Sequence, residues 1–244
     1  MAGRRVVSLV PSLTEAIAVS APGALVGATD WCSHPAGLDV VRVRGTKNPD
    51  VERIVALAPD LVVANEEENR GPDLDALRAA GLTVLVTEVR TLEQAFTELA
   101  QVLTACGAAA RPGWLAAAEA AWRDVRPGPG LRRRAVVPVW RRPWMVLGRE
   151  TFAGDLLARL GVENVYAGHA ERYPRVPLAE LRASGAELVV LPDEPYAFAP
   201  DDGPEAFPGT AAALLSGRHL TWYGPSLAAA PAVLGAALAA AGRA

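Results

Sequence analysis

The sequence predicts an α/β protein of two lobes joined by one helix. Three observations lead there. Strand and helix signals alternate in the first part of the chain and resume in the last part. The candidate strands are almost purely apolar, the pattern of parallel sheets covered on both faces. Between the two segments lies a long stretch of helical period, closed by Pro127 and Gly128.

Residues 5–10 read as a short buried strand, and Pro11-Ser12-Leu13-Thr14-Glu15 as a helix start, with Ser12 as N-cap and Glu15 completing a capping box. A strand at 25–28, a helix at 51–58, a strand at 60–64, a helix at 73–80 stopped by Gly81 and a strand at 82–86 follow. From Thr91 the period is helical, broken near Gly107 and resumed over 109–125, where Trp114, Ala118 and Trp122 form one stripe and Ala117, Ala121 and Val125 the next. At 1.5 Å per residue this piece spans roughly 25 Å, enough to bridge two lobes. Arg126-Pro127-Gly128-Pro129-Gly130 ends it. A strand at 135–139, helices at 152–160 and 178–184, a strand at 188–191 and a last helix over 227–241 complete the order. The expected domains are an N-terminal lobe, 1–108, a connecting helix, 109–126, and a C-terminal lobe, 127–244.

An internal repeat supports that division. The helix-into-strand run from Val51 to Val63 resembles the run from Leu178 to Val190, and placing Asp60 on Glu187 also places Glu66-Glu67 on Asp193-Glu194. Both lobes thus release acidic residues just past the carboxyl end of an equivalent strand, the edge where open α/β sheets bind ligands.

Composition narrows the function. The 244 residues carry 24 basic and 27 acidic side chains, a net charge of −3, and no basic stripe that would mark a nucleic-acid or anionic-membrane partner. Cys32 and Cys106 are too few for a disulfide framework and have no metal-ligand spacing. The apolar stretch Val6 to Val10 is cut by Pro11, too short for a signal-peptide core, so the chain as written is expected in the cytoplasm, or outside it if the native start lies upstream. Of the basic residues 23 are arginine and one, Lys47, is lysine. A compact ammonium retained against that bias is a candidate site group.

Val6-Val7-Ser8-Leu9-Val10-Pro11-Ser12-Leu13-Thr14-Glu15, the run Val26-Gly27-Ala28-Thr29-Asp30-Trp31-Cys32-Ser33-His34-Pro35 and the run from Asn48 to Val62 resemble the helical-backbone metal receptors. These are substrate-binding proteins for cobalamin, haem and ferric siderophores that feed ABC importers. The resemblance implies the class III architecture: two Rossmann-like lobes, a rigid connecting helix and a ligand held in the cleft between them without catalysis. Within the superfamily the chain is most similar to cobalamin binders. A pocket aromatic of theirs matches Trp31 and another Trp222, whereas two further tryptophan positions of a well-known member fall on Thr46 and Asn65. In exported relatives one glutamate per lobe docks on the permease. Glu52 matches the first and Glu180, approximately, the second.

The candidate ligand-binding residues lie in loops, most of them after candidate strands and Lys47 in a turn-rich loop before a helix. They are Trp31, His34 and Lys47, then Glu67, Asn69 and Arg70, then Trp140, Arg141 and Trp144, then Glu194, Tyr196, Trp222 and Tyr223. Indole platforms with amphipathic edges suit a flat macrocycle, and arginine forks suit carboxylates of the protein or of a ligand. His34, His169 and His219 match no zinc spacing, Ser8 and Ser12 lie near Glu15 without a paired histidine, and no glycine-rich phosphate loop follows the first strand. The expectation is a non-catalytic, monomeric binder of a metal chelate such as cobalamin, with no intrinsic cofactor or metal, and with an ABC permease and ATPase as partners. A cytoplasmic corrinoid carrier or sensor, and an enzyme recruited from the binding fold, are the alternatives.

Overall fold

The computed structural model describes residues 3–108, 111–126 and 132–241. Packing divides the chain into two units, one of Met1–Val89, Glu93–Ala116 and Tyr223–Pro225, the other of Arg90–Leu92, Ala117–Trp222 and Ser226–Ala244.

In the first unit the apolar runs become β1 (Val6–Ser8), β2 (Leu25–Ala28) and β3 (Val41–Arg42), then a small antiparallel hairpin of β4 (Arg44–Gly45) and β5 (Asn48–Pro49), then β6 (Leu61–Asn65) and β7 (Val84–Thr87). Five of them form an all-parallel sheet in the order β3-β2-β1-β6-β7. β1 and β6 are central and buried at every residue, which is why neither alternates with polar side chains. Helices α1 (Pro11–Ser20), α2 (Val51–Ala56) and α3 (Gly71–Ala79) connect the strands, and α4 (Leu92–Ala105) follows β7. Val7, Leu9, Ile54, Val62, Leu74 and Leu77 make the core.

Helix α1 does not use the capping box the sequence suggests. Pro11 is its first residue, Val10 is the extended N-cap without a side-chain bond, and Ser12 and Glu15 are buried inside the helix. Proline fits the first helical position because the N–H it lacks has no intrahelical acceptor there, so the helix begins two residues earlier and leaves Ser12 no capping role.

Helix α5 (Gly113–Arg123) carries the chain onward. It covers the middle of the expected 109–125 helix. Ala109 and Ala110 lie outside the described residues, as does the 127–131 part of the expected helix stop.

The second unit contains β8 (Arg133–Val136), β9 (Pro138–Trp140), β10 (Met145–Val146), α6 (Phe152–Arg159), β11 (Val162–Asn164), α7 (Leu178–Ala183), β12 (Leu188–Pro192), β13 (Ala211–Leu215), α8 (Gly217–Thr221) and α9 (Ala230–Ala240). Its parallel sheet runs β11-β8-β12-β13. The expected strand at 135–139 divides at Val137, where the chain leaves β8 and enters the antiparallel β9–β10 hairpin. The expected last helix is also divided, into a 3-10 turn at Pro225–Ala228 and α9, which has Pro231 in its first turn.

The repeat in the sequence has a structural counterpart. Val51 maps onto Leu178 and Leu61 onto Leu188 at one displacement, so α2 and β6 correspond to α7 and β12. Each lobe then ties its first strand to the same place. The Arg5 N–H donates to Asp60 Oδ2 at 2.7 Å and the Asp60 N–H returns to the Arg5 carbonyl at 2.8 Å. In the second lobe the Arg134 N–H donates to Glu187 Oε2 at 3.1 Å and the Glu187 N–H returns to the Arg134 carbonyl at 2.8 Å. Both guanidinium groups cap the carbonyls that end the preceding helix, Leu57 and Ala58 in one lobe, Ser184 and Gly185 in the other. The chain escapes each helix through a left-handed residue, Ala58 at φ 45° and Gly185 at φ 71°.

Candidate functional site

Strand order in the first sheet reverses between β1 and β6, so the crevice that open α/β sheets use for ligands lies past the carboxyl ends of those strands. Asn65 closes β6 and organises the acidic turn after it. Its Oδ1 accepts the N–H groups of Glu67 and Glu68 at 2.9 and 3.2 Å, and its Nδ2 donates to the Thr87 carbonyl and hydroxyl at 2.9 and 3.1 Å. Asn69 completes the device: its Oδ1 accepts the Asn65 N–H at 2.9 Å, and its Nδ2 donates to the Thr46 and Leu9 carbonyls at 2.9 and 3.3 Å. Both amides are buried, where every unmade hydrogen bond is costly. Asn69, a candidate ligand residue from the sequence, is thus framework in this unit.

Lys47, exposed on the β4–β5 hairpin, donates through Nζ to the Glu67 main-chain carbonyl. It fastens the hairpin to the acidic turn through the backbone. Arg70 is exposed and held bidentately by Asp73, at 2.8 and 3.1 Å.

Trp31 stands on the loop after β2. Arg42 stitches that loop from inside, its Nη1 donating to the Thr29 and Cys32 carbonyls, each at 2.9 Å, and its Nη2 to the Leu38 carbonyl at 3.3 Å. Cys32 sits beneath, its Sγ 3.0 and 3.1 Å from the Thr14 and Thr29 hydroxyls, and burial pushes its thiol up. Gly45 gives the indole room: a Cβ there would lie 2.4 Å from Asn48 Oδ1 and 3.3 Å from Trp31 Nε1. The indole itself is 69% exposed. His34 is half-buried with Nδ1 3.1 Å from the Ser33 hydroxyl. Tyr223 is buried in this unit, its hydroxyl 3.5 Å from Thr87 Oγ1 and bonded to Ser12, and burial pushes that phenol far up.

In the second unit the equivalent edge carries an aromatic group. Trp140, 42% exposed at the end of β9, meets the Tyr196 ring edge-on, with centroids 5.7 Å apart and an interplanar angle of 81°. Trp144 packs inward, stacked on Phe198 at 6.1 Å and edge-to-face with Phe207 at 5.4 Å. Arg141 lies over Trp144, 5.2 Å from its centroid, and is gripped by Asp202 and by Glu205, the latter at 2.5 Å. Asp202 also accepts the Tyr196 hydroxyl at 2.6 Å. Tyr196 and Arg141 together hold the Asp202 carboxyl below its usual range.

Past β12, Glu194 Oε2 accepts the Trp222 indole N–H at 2.9 Å, and Asp193 Oδ1 accepts the Gly217 N–H at 2.6 Å. Only glycine fits at 217, since a Cβ would fall 2.6 Å from the Glu194 backbone nitrogen. Trp222 is buried, with the Arg218 guanidinium 5.7 Å from its ring centroid. The docking candidates Glu52 and Glu180 are both exposed in the first turns of the corresponding helices α2 and α7, and Glu180 also takes a hydrogen bond from Tyr166.

Within single units the structure therefore joins Lys47 to Glu67, Trp140 to Tyr196, Arg141 to Trp144 and Glu194 to Trp222. Lys47 and Glu67 belong to the first unit and Glu194 to the second. Asn65, Asp202 and Glu205 were not nominated by the sequence. The available signals were two asparagines flanking three glutamates and an adjacent Arg141-Arg142 pair in need of counter-charge. A pocket of about 320 Å³ in the second unit lies elsewhere, lined by Arg90, Glu150, Asp155, Asn164 and small residues of α6 and β11, and by none of the nominated residues. Among the described residues no group of three or more His, Cys, Asp or Glu is arranged to hold a metal ion, and no helix is long and apolar enough to cross a membrane.

Comparison with known proteins meets the same fold. The vitamin B12-binding protein of Salmonella typhi is 27% identical over 199 residues, covering 78% of this chain and 73% of its own. That of Vibrio cholerae serotype O1 is 24% identical over 191 residues, covering 76% and 69%. Among solved structures, a periplasmic haem-binding protein in complex with two haems superposes with a TM-score of 0.80 at 23% identity over 98% of this chain and 99% of its own. The periplasmic vitamin B12-binding protein of Vibrio cholerae gives 0.74 at 17% identity over 99% and 98%. These solved structures establish the two-lobed α/β fold. Residues 6–194 match the periplasmic binding protein family, and with that match over most of its length the chain belongs to this family of substrate-binding proteins.

Proposed function

We propose that the chain is the non-catalytic substrate-binding component of an ABC importer for a metal chelate, with a corrinoid such as cobalamin as its cargo, and that it works outside the cytoplasm. The observation that carries this reading is the placement of two indoles. Trp31, at 69% exposure, stands on the loop after β2, and Trp140, at 42%, ends the β9 arm of the hairpin that follows β8, so each lies past the carboxyl end of a parallel-sheet strand, one in each unit. Leaving such a surface in water forgoes about 25 cal/mol for each Å² of apolar area, a loss that a flat ligand stacked on the ring would recover. Relatives named for vitamin B12 and the family match support the cargo class. In this reading Lys47, Asn69 and Tyr223 hold the first lobe's edge in shape, Arg141, Trp144 and Tyr196 the second's, and Glu194 and Trp222 form a hydrogen-bonded pair within it. His34, Glu67 and Arg70 supply polar contacts. Glu52 and Glu180, at corresponding helix starts, dock on the permease.

The test is a titration of intrinsic tryptophan fluorescence with cyanocobalamin, haemin and a ferric siderophore. Saturable quenching by cyanocobalamin that Trp31→Ala or Trp140→Ala weakens supports the reading. Saturable quenching by haemin or the siderophore alone replaces the corrinoid with that chelate. The absence of saturable quenching by all three overturns the function.

A further inference from the structure

We propose that Asp202 is a positioning residue for ligand binding, one that sets the orientation of the Trp140 indole through the Tyr196 hydroxyl. The inference rests on the chelate-binding reading and adds to it a residue that touches no ligand.

Trp140 has little of its own to hold it. It ends β9 on a two-stranded hairpin, and nearly half of its surface is open. The ring contact that fixes its plane is Tyr196, met edge-on at 81°. Such an arrangement places the positive edge of one ring against the negative face of the other, so it is directional only while the partner ring is itself fixed. Tyr196 is fixed at two points: its ring leans on Phe198, centroids 4.6 Å apart, and its hydroxyl donates to Asp202 at 2.6 Å.

Asp202 is in turn immobilised from both sides. Its main chain closes a turn with Ala199, the Asp202 N–H donating to the Ala199 carbonyl at 3.1 Å and the Ala199 N–H to the Asp202 carbonyl at 3.0 Å. Its other carboxylate oxygen meets Arg141, which Glu205 and the Trp144 ring hold in place. The chain of contacts therefore runs from the packed Trp144, Phe198 and Phe207 group through Arg141, Asp202 and Tyr196 to the exposed indole. A hydrogen bond to an ionised carboxylate is about twice as strong as one between neutral groups, which suits this link to a rigid role.

The experiment measures cyanocobalamin affinity in Tyr196→Phe, Asp202→Ala and Asp202→Asn, each alone and combined with Trp140→Ala. Tyr196→Phe keeps the ring and loses the anchor, and Asp202→Asn keeps an acceptor for the hydroxyl. The expected result is a roughly 3- to 10-fold loss for Tyr196→Phe and Asp202→Ala, a fraction of the worth of a charge-assisted bond, because the bond acts on the ligand only through the indole it orients. Asp202→Asn retains most of the affinity, and Tyr196→Phe produces no further loss once Trp140 is alanine. A loss of equal size in the Trp140→Ala background, or no loss from Tyr196→Phe in the native background, overturns the proposal.

Acrylamide quenching of the unliganded protein separates this from a failure of the chelate reading. The emission lost in Trp140→Phe identifies the Trp140 component, and Tyr196→Phe should make that component more accessible to quencher. If cyanocobalamin does not bind yet quenching rises, the functional reading fails and the positioning contact stands. If quenching is unchanged, the positioning proposal is wrong whatever binds.

Discussion

Replacing Ala58 with glycine should stabilise the protein. Ala58 follows α2 with φ 45°, in the left-handed region where an L residue with a Cβ is penalised by about 1–2 kcal/mol. Its counterpart after α7 is Gly185, at φ 71°, which escapes that penalty. The methyl group of Ala58 is exposed, so its removal forfeits little packing. Glycine loses more backbone entropy on folding, about 0.5–1 kcal/mol, leaving a net gain on the order of 0.5–1 kcal/mol. For a chain of this size that corresponds to a rise of roughly 1–4 °C in Tm. The reciprocal Gly185→Ala should lower Tm, since the new Cβ would also lie 3.2 Å from Arg134 Nη1 and press on the guanidinium that caps α7. Differential scanning calorimetry of both variants is the assay. A lower Tm for Ala58→Gly, with Gly185→Ala unchanged, would refute the claim that the two lobes close the same joint by the same backbone device.

Other outcomes follow from the same geometry. Trp144→Ala removes a ring packed against Phe198 and Phe207 and should cost about 3 kcal/mol, a fall in Tm of roughly 6–12 °C, whereas Trp31→Ala should leave Tm within about 2 °C and reduce chelate affinity several-fold. Burial pushes the Cys106 thiol up to about 11 and raises Cys32 as well, so at pH 8 both should resist a disulfide-exchange reagent in the native protein and react promptly in denaturant. Rapid native labelling would place them at the surface. Asp202 and Glu205 are held below their ordinary values of 3.8 and 4.5 by their hydrogen bonds and by Arg141. Folding stability from the pair is therefore present above those values and is lost as pH falls through the depressed ones. Acid titration of Arg141→Gln should show a shallower loss than the native chain, and an unchanged slope would count against the ion pair.

The central strands were legible because burial on both faces leaves a continuous apolar run, as in Leu61, Val62 and Val63 and again in Leu188, Val189 and Val190. The same criterion misses the edges. β11 contains Glu163 and Asn164 because one side faces solvent, and β13 opens with three alanines that read equally well as helix. The start of α1 was missed by two residues because Pro11 competes with the Ser12 cap signal and wins. Lys47 stood out as the lone lysine, and the structure gives it a partner on the acidic turn, yet that partner is a carbonyl oxygen, which no charge pattern discloses. Trp140 and Tyr196 were both nominated from their loops. Their contact, and the Asp202 that anchors it, depend on how the segment between Pro195 and Pro204 folds back, and an acidic turn carries no local signal of which arginine it will meet.

The most direct test of the account is an absorbance spectrum taken after the purified protein is mixed with cyanocobalamin, haemin and a ferric siderophore separately and passed through a desalting column. Cyanocobalamin should co-elute in near-stoichiometric amount, and Trp31→Ala combined with Trp140→Ala should abolish this while the melting temperature of the variant stays close to that of the native chain. Colourless protein after all three incubations would contradict it.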